Sequence, residues 1–236
     1  MLMTVQSIVD TAIDLADMRN SKFIDQSGTA DSELIRYANI AYRDLYNTII
    51  QTDNQYFTIN YNISIIGGTD EYSLPADFYK LDGVDLQIDA TSKRFLTLRP
   101  FMFQERNKFR SGLAFTNSPY GQVFKYLLSG SKIRFLPIPS MSGTVQLWYT
   151  PAPTVITSLA NTVEVMVGGD EYLSLTIAMA MLAKEESDTS TLNGKRLEVL
   201  QQLKNVLQSR DSGAPEYITD EASLNAGALY PFRGFD

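Results

Sequence analysis

The sequence predicts an α+β protein. Helices from the N- and C-terminal parts form a four-helix-type bundle, an antiparallel β domain is inserted between them, and an extended C-terminal arm follows. Three observations carry this reading. Apolar residues recur at helical spacing near both ends, they alternate with polar residues through the middle, and all periodicity stops after residue 210. The divisions fall at 1–52 for the first helices, 53–167 for the β-rich insertion, 168–210 for the last helices and 211–236 for the arm.

Thr4 is placed to cap a first helix, in which Val5, Ile8, Val9, Ala12, Ile13 and Ala16 make one apolar stripe. A second helix begins near Asp31 and Ser32, with Glu33 suited to its positive N-terminal end. Leu34, Ala38, Ala41, Tyr42, Leu45 and Ile49 form its buried side. The period then falls to two. Phe57, Ile59, Tyr61, Ile63 and Ile65 alternate with Thr58, Asn60, Asn62 and Ser64, which predicts a strand with one wet face. Gly67 to Asp70 turns the chain, Glu71 to Leu74 returns as a short strand, and Val84, Leu86 and Ile88 alternate again.

Arg99-Pro100 reads as the start of a short helix carrying Met102, Arg106 and Phe109 on one side. Ser129-Gly130-Ser131 joins Phe124–Leu128 to Lys132–Leu136 in a hairpin, which Pro137 and Pro139 end. Val145, Leu147 and Tyr149 mark another strand, for about seven in all. Helix returns after Gly168-Gly169, where Asp170 and Glu171 suit a first turn and Leu173, Ile177, Ala180, Met181 and Leu182 leave little polar face. A last helix, capped by Thr191, has Leu197, Leu200, Leu203 and Leu207 on one side. Gly194 weakens its start by roughly 1 kcal/mol relative to Ala.

Composition narrows the function. The chain has no histidine and no cysteine. That excludes a Ser-His-Asp triad, a Cys-His pair, the common zinc sites and a thiol switch. No phosphate-cradling glycine loop and no nucleophile elbow occur. Asp82, Asp85 and Asp89 lack calcium-loop spacing and read as the polar side of a strand. Asp170-Glu171 needs no catalytic explanation as a pair of first-turn acids. No catalytic residue, metal ligand or cofactor is therefore assigned. The longest strongly apolar stretch, Leu173 to Ala183, is far short of a membrane span, and no secretory leader is visible, so a soluble intracellular product is expected.

Charge is uneven. The chain carries −7 overall, yet residues 90–163 hold nine bases (Lys93, Arg94, Arg99, Arg106, Lys108, Arg110, Lys125, Lys132, Arg134) against Glu105 alone, a local +8. A basic middle between acidic flanks suits either nucleic acid or a docking face of complementary charge. The acidic total favours docking, with Arg106, Lys108 and Arg110 as its contact residues. Residues 211–236 include Tyr217, Ile218, Leu224, Leu229, Tyr230, Phe232 and Phe235, more apolar anchors than a disordered tail carries. Burying seven such side chains yields roughly 10–20 kcal/mol, while fixing a backbone residue costs roughly 1–2 kcal/mol. A single arm barely breaks even, but many arms in a symmetric assembly gain through effective concentration.

Several of these segments together carry a resemblance. They are Glu33-Leu-Ile-Arg-Tyr-Ala-Asn39, Glu71-Tyr-Ser-Leu-Pro-Ala-Asp-Phe-Tyr-Lys-Leu-Asp-Gly-Val-Asp85, the hairpin Tyr126–Pro139 with Ile133-Arg-Phe-Leu-Pro137, Val145-Gln-Leu-Trp-Tyr-Thr-Pro151, and the helix opening at Asp170-Glu171-Tyr172. In this order they resemble the head-to-tail adaptor, or head-completion, proteins of tailed bacteriophages, particularly the podophage-type tail adaptor, over roughly residues 4–210.

The resemblance implies a non-enzymatic virion structural protein at the head–tail junction, assembled in the host cytoplasm. It implies a homo-oligomeric ring of twelve that binds the portal above and a tail, nozzle or tail-tube protein below. Genomic DNA would pass through the channel without specific binding, and no membrane is involved. Two other classes stay open at this stage: a nucleic-acid-binding protein using the basic middle, and a carboxylate-dependent, tail-associated hydrolase.

Overall fold

The computed structural model describes residues 2–19, 21–22, 24–53, 55–89, 91, 93–105, 125–139 and 142–210. A short strand β1 (Leu2–Thr4) leads directly into α1 (Val5–Leu15), whose predicted stripe is buried. Thr4 holds the N-cap position, but its side chain makes no capping bond. In α2 (Glu33–Thr52) the cap is real, because buried Ser32 accepts from the Ile35 amide at 3.4 Å.

The insertion contains β2 (Ile59–Ile65), β3 (Glu71–Ser73), β4 (Phe78–Asp89), β5 (Arg94–Thr97), β6 (Arg99–Pro100), β7 (Lys125–Ser129), β8 (Lys132–Leu136) and β9 (Gly143–Pro151). After β10 (Thr162–Glu164) the chain returns to helix in α3 (Gly169–Lys184) and α4 (Ser190–Ser209). Gly168, at φ +85°, supplies the left-handed residue that lets α3 start so abruptly. Among the described residues no helix is long and apolar enough to cross a membrane.

The protein is thus α+β, with helices at both ends of the chain and sheets between them. All four helices contribute to one apolar core, joined by Ile156, Val163, Val165 and Met166 from the connection before α3. As predicted, α3 is nearly enclosed; Glu171, Ala183 and Lys184 are its exposed residues. The Lys184 ammonium donates to the Glu33 carboxylate at 2.6 and 2.7 Å, tying the C-terminal end of α3 to the first turn of α2. That ion pair holds the Glu33 carboxyl below its usual pKa. Two details of α4 differ from expectation. Its N-cap is Thr189, not Thr191, and Leu197 is exposed because the buried stripe runs through Val199, Leu203 and Leu207, on the opposite side of the helix.

Tyr172 sits deep in this core and donates its hydroxyl to Asp44 at 2.6 Å. Burial, then that hydrogen bond, pushes its pKa from 10 up to about 12. A raised pKa means the folded state holds the proton more tightly. The stabilisation is therefore complete below pH 10 and is lost as pH rises through about 12, in total on the order of 3 kcal/mol. Urea midpoints from pH 9 to 12 should fall steeply for the wild type and less steeply for Tyr172→Phe. Parallel slopes would remove Tyr172 as the cause.

The β insertion has its own core. One antiparallel sheet has the order β2-β9-β4-β5; a second runs β3-β8-β7-β6, with only β6 and β7 parallel. Ile63, Ile65, Val84, Val145 and Leu147 from the first meet Ile133 and Phe135 from the second, together with Leu98. The hairpin forms at the predicted Ser129-Gly130-Ser131 turn, where Gly130 takes φ +59°.

Three expectations for this region change. Arg99-Pro100 is an extended pair beside Lys125–Tyr126 and not a helix start. Leu98 and Phe101 are both buried, and their amides donate to Val84 and Tyr126, so the chain is pulled straight there. Proline at an edge strand gives up no ladder bond; a single 3-10 turn, Phe103–Glu105, follows.

Second, the apolar face of β2 is buried only at Ile63 and Ile65; Ile59 and Tyr61 stand 43% and 46% exposed where the shared core ends. Third, the strand acids are not simply wet. Asp82 accepts from Thr58 at 2.9 Å and Thr150 at 3.0 Å, stitching the start of β2 to β4 and β9, and Asp85 accepts from the Trp148 indole at 2.8 Å. The ribbon of β1 and β10, three residues each, was not foreseen.

Candidate assembly surface

The ten residues singled out for partner binding lie outside the described residues: Arg106, Lys108 and Arg110, and Tyr217, Ile218, Leu224, Leu229, Tyr230, Phe232 and Phe235. Their neighbours are informative. Met102 and Phe103 stand 71% and 59% exposed immediately before the basic run that starts at Arg106. Sequence reasoning had placed Met102 on a helix face, so this exposed apolar step was missed.

The rest of the basic third divides in two. Lys132 pairs with Glu71 at 3.2 Å, and Arg134 pairs with Glu71 and with Asp70 at 3.5 Å. These partners come from β3 and the turn before it, just outside the +8 window, so cross-strand pairing neutralises part of that excess. Lys93, Arg94 and Arg99 are exposed. Among the described residues, the basic excess that cross-strand pairing leaves is therefore narrower and includes Lys93, Arg94 and Arg99.

On the opposite register of the first sheet, Gly83 lies directly across from Trp148, where a Cβ would meet the indole at ordinary contact distance, 3.7 Å. Trp148 and Phe95 break an otherwise polar outer face of Asn60, Asn62, Gln146 and Gln87.

A groove of about 420 Å³ lies where the helices meet the start of β2. Its walls include Tyr42 and Tyr46 of α2, Tyr56, Phe57, the Pro151–Thr154 segment and Glu164 of β10. The rings pack on one another: Phe57 stacks on Tyr46 at 4.2 Å and meets Tyr56 edge-on at 4.7 Å. The Tyr46 hydroxyl donates to the Pro151 carbonyl at 2.6 Å. Burial first, with the Glu164 carboxylate adding to it, pushes the Tyr42, Tyr46 and Tyr56 hydroxyls above their ordinary pKa. At the rim, the Arg210 guanidinium lies 4.5 Å from the Tyr56 ring centroid and 3.5 Å from Asp53.

Asp170 and Glu171 occupy the first turn of α3 as predicted, beside a shallow pocket of about 230 Å³. Among the described residues no group of three histidine, cysteine or acidic side chains could hold a metal ion.

The family model described as SU10 adaptor protein matches residues 3–225. The chain belongs to the SU10 adaptor protein family. The resemblance to phage head-to-tail adaptors read from the sequence is thereby established, and the match runs past Arg210 into the first part of the predicted arm. The adaptor family supports a phage structural role. No curated protein matches the chain.

Proposed function

We propose that this adaptor-family chain forms a ring, of twelve copies, seated between the portal of a tailed phage and its tail. In that position it extends the DNA channel and offers the platform for tail attachment, without catalysis. The observation that carries the reading is the family match over residues 3–225. The shared core of α1 to α4 supports treating them as one bundle, and the separate core of the two sheets supports residues 53–167 as an inserted domain; residues 211–236 form the arm in this reading.

The exposed acids of the helices, such as Asp10 and Glu198, line the channel in this reading, since a negative wall avoids adhesion to passing phosphates. The basic surface ending in Arg106, Lys108 and Arg110 docks on the portal, the tail or a neighbouring subunit, with Met102 and Phe103 as its apolar centre. The arm residues Tyr217, Ile218, Leu224, Leu229, Tyr230, Phe232 and Phe235 add the grip that symmetry multiplies. The assembled protein belongs in the virion at the head–tail junction, after assembly in the host cytoplasm.

The test is mass photometry of the purified chain, alone and with its portal. A discrete mass step of a ring onto the portal is expected. Reversing Arg106, Lys108 and Arg110 to Glu should abolish that step or weaken it at least tenfold. Unchanged assembly would remove the basic surface from the interface. In a salt-dependent binding assay the chain should retain little duplex DNA at physiological salt; tight binding there would favour the nucleic-acid reading.

A further inference from the structure

The groove beneath Arg210 has two chemical features: the partly exposed Tyr56 and Phe57 rings, backed by buried Tyr42 and Tyr46, and one exposed carboxylate, Glu164, that has no ion pair among the described residues. A ligand that meets both is aromatic and cationic.

The chain carries one segment of that kind close at hand. Residues 211–236 contain five acids and a single base, Arg233, set within Tyr230-Pro-Phe-Arg-Gly-Phe235. The chain also leaves the described fold at the groove. Arg210, the last described residue, stacks on Tyr56, which is part of the wall. Pro231 lies 21 residues further on, and even a random coil of that length spans about 25 Å. Return to the groove therefore needs no strained path, and tethering holds the segment at millimolar effective concentration.

The groove has a suitable backbone edge as well. Ile59 at its mouth begins β2, which pairs only with β9 among the described strands and so presents an unpaired edge to an extended segment. The acids elsewhere in the tail are repelled by Glu164, so Arg233 fixes which part of the tail fits.

We propose that this groove receives the chain's own segment Tyr230–Phe235, with Arg233 paired to Glu164 and the Phe232 and Phe235 rings laid against Tyr56 and Phe57. This assignment describes the free subunit and does not depend on the adaptor reading. In a phage assembly the portal would compete for the same arm rings.

The absence of native cysteine makes the test clean. A full-length Thr154→Cys, Gly234→Cys variant should close an intramolecular disulfide under mild oxidation, giving a product of monomer mass. The control pair Ser190→Cys, Gly234→Cys places its first thiol at the far end of α4, about 30 Å from Arg210. The groove pair should close at least tenfold faster than the control, and adding Glu164→Gln should slow it about twofold, the worth of one exposed ion pair. Equal rates for the two pairs, indifference to Glu164→Gln, or a product of dimer mass would each overturn the proposal.

Discussion

Phe135→Ala should destabilise the β insertion by about 3–5 kcal/mol, the usual cost of deleting a buried ring and leaving its cavity. Phe135 has no solvent exposure and is one of two β8 residues in the core shared by both sheets. Its ring leans on Tyr72 at 5.7 Å. The Tyr72 hydroxyl in turn accepts from the Ile66 amide and faces the Ile66 and Thr69 carbonyls, so it holds the turn between β2 and β3. Losing the ring therefore removes both core volume and the support of a turn. Trp148 is the chain's single tryptophan and lies on the outer face of the central strand β9, so its fluorescence reports unfolding of the sheet that covers this core. The urea midpoint should drop by about 2 M, given a typical slope of 1–3 kcal/mol per molar urea. A loss below about 1 kcal/mol would mean that neighbouring side chains refill the cavity.

The second large effect concerns assembly. Deleting residues 211–236 should leave a folded chain that no longer joins the portal. All four helices contribute to one core and the two sheets build another, both among residues up to Leu207. Seven apolar anchors leave with the arm, worth roughly 10–20 kcal/mol per subunit if all were buried against a partner. A symmetric ring multiplies even a small net gain per arm, so its loss should remove the portal-bound species from the mass distribution. Circular dichroism should stay near wild type. A truncated chain that still joins the portal would take the arm out of the interface.

The elements legible in the sequence are those whose burial is local and periodic. Val5 to Ala16 and Leu34 to Ile49 recur at helical spacing because each helix presents one side to a single core. Val145, Leu147 and Tyr149 alternate because β9 is central in its sheet and buried on one face. The misread elements depend on distant partners. Leu2–Thr4 is too short for a period, and its pairing with Thr162–Glu164 crosses most of the chain. Arg99-Pro100 is extended because β7 lies beside it, which no local signal announces. Ile59 and Tyr61 keep the strand pattern of buried residues, yet the second sheet does not reach them.

The surface was harder to read than the fold. Counting charge placed Lys132 and Arg134 with the free bases, but pairing with Asp70 and Glu71 depends on strand register. The groove drew on Tyr42 and Tyr46, one turn apart on α2, together with Tyr56 and Phe57; that spacing reads equally well as ordinary core.

The order of the elements has a consequence for biogenesis. The apolar stripes of α1 and α2 are finished on α3, which follows the whole β insertion. A ribosome adding about 5–20 residues each second leaves those two helices without their central packing partner for on the order of 10 s. During that interval the nascent chain exposes sticky helical faces, so expression yield should respond to translation speed and to holding chaperones.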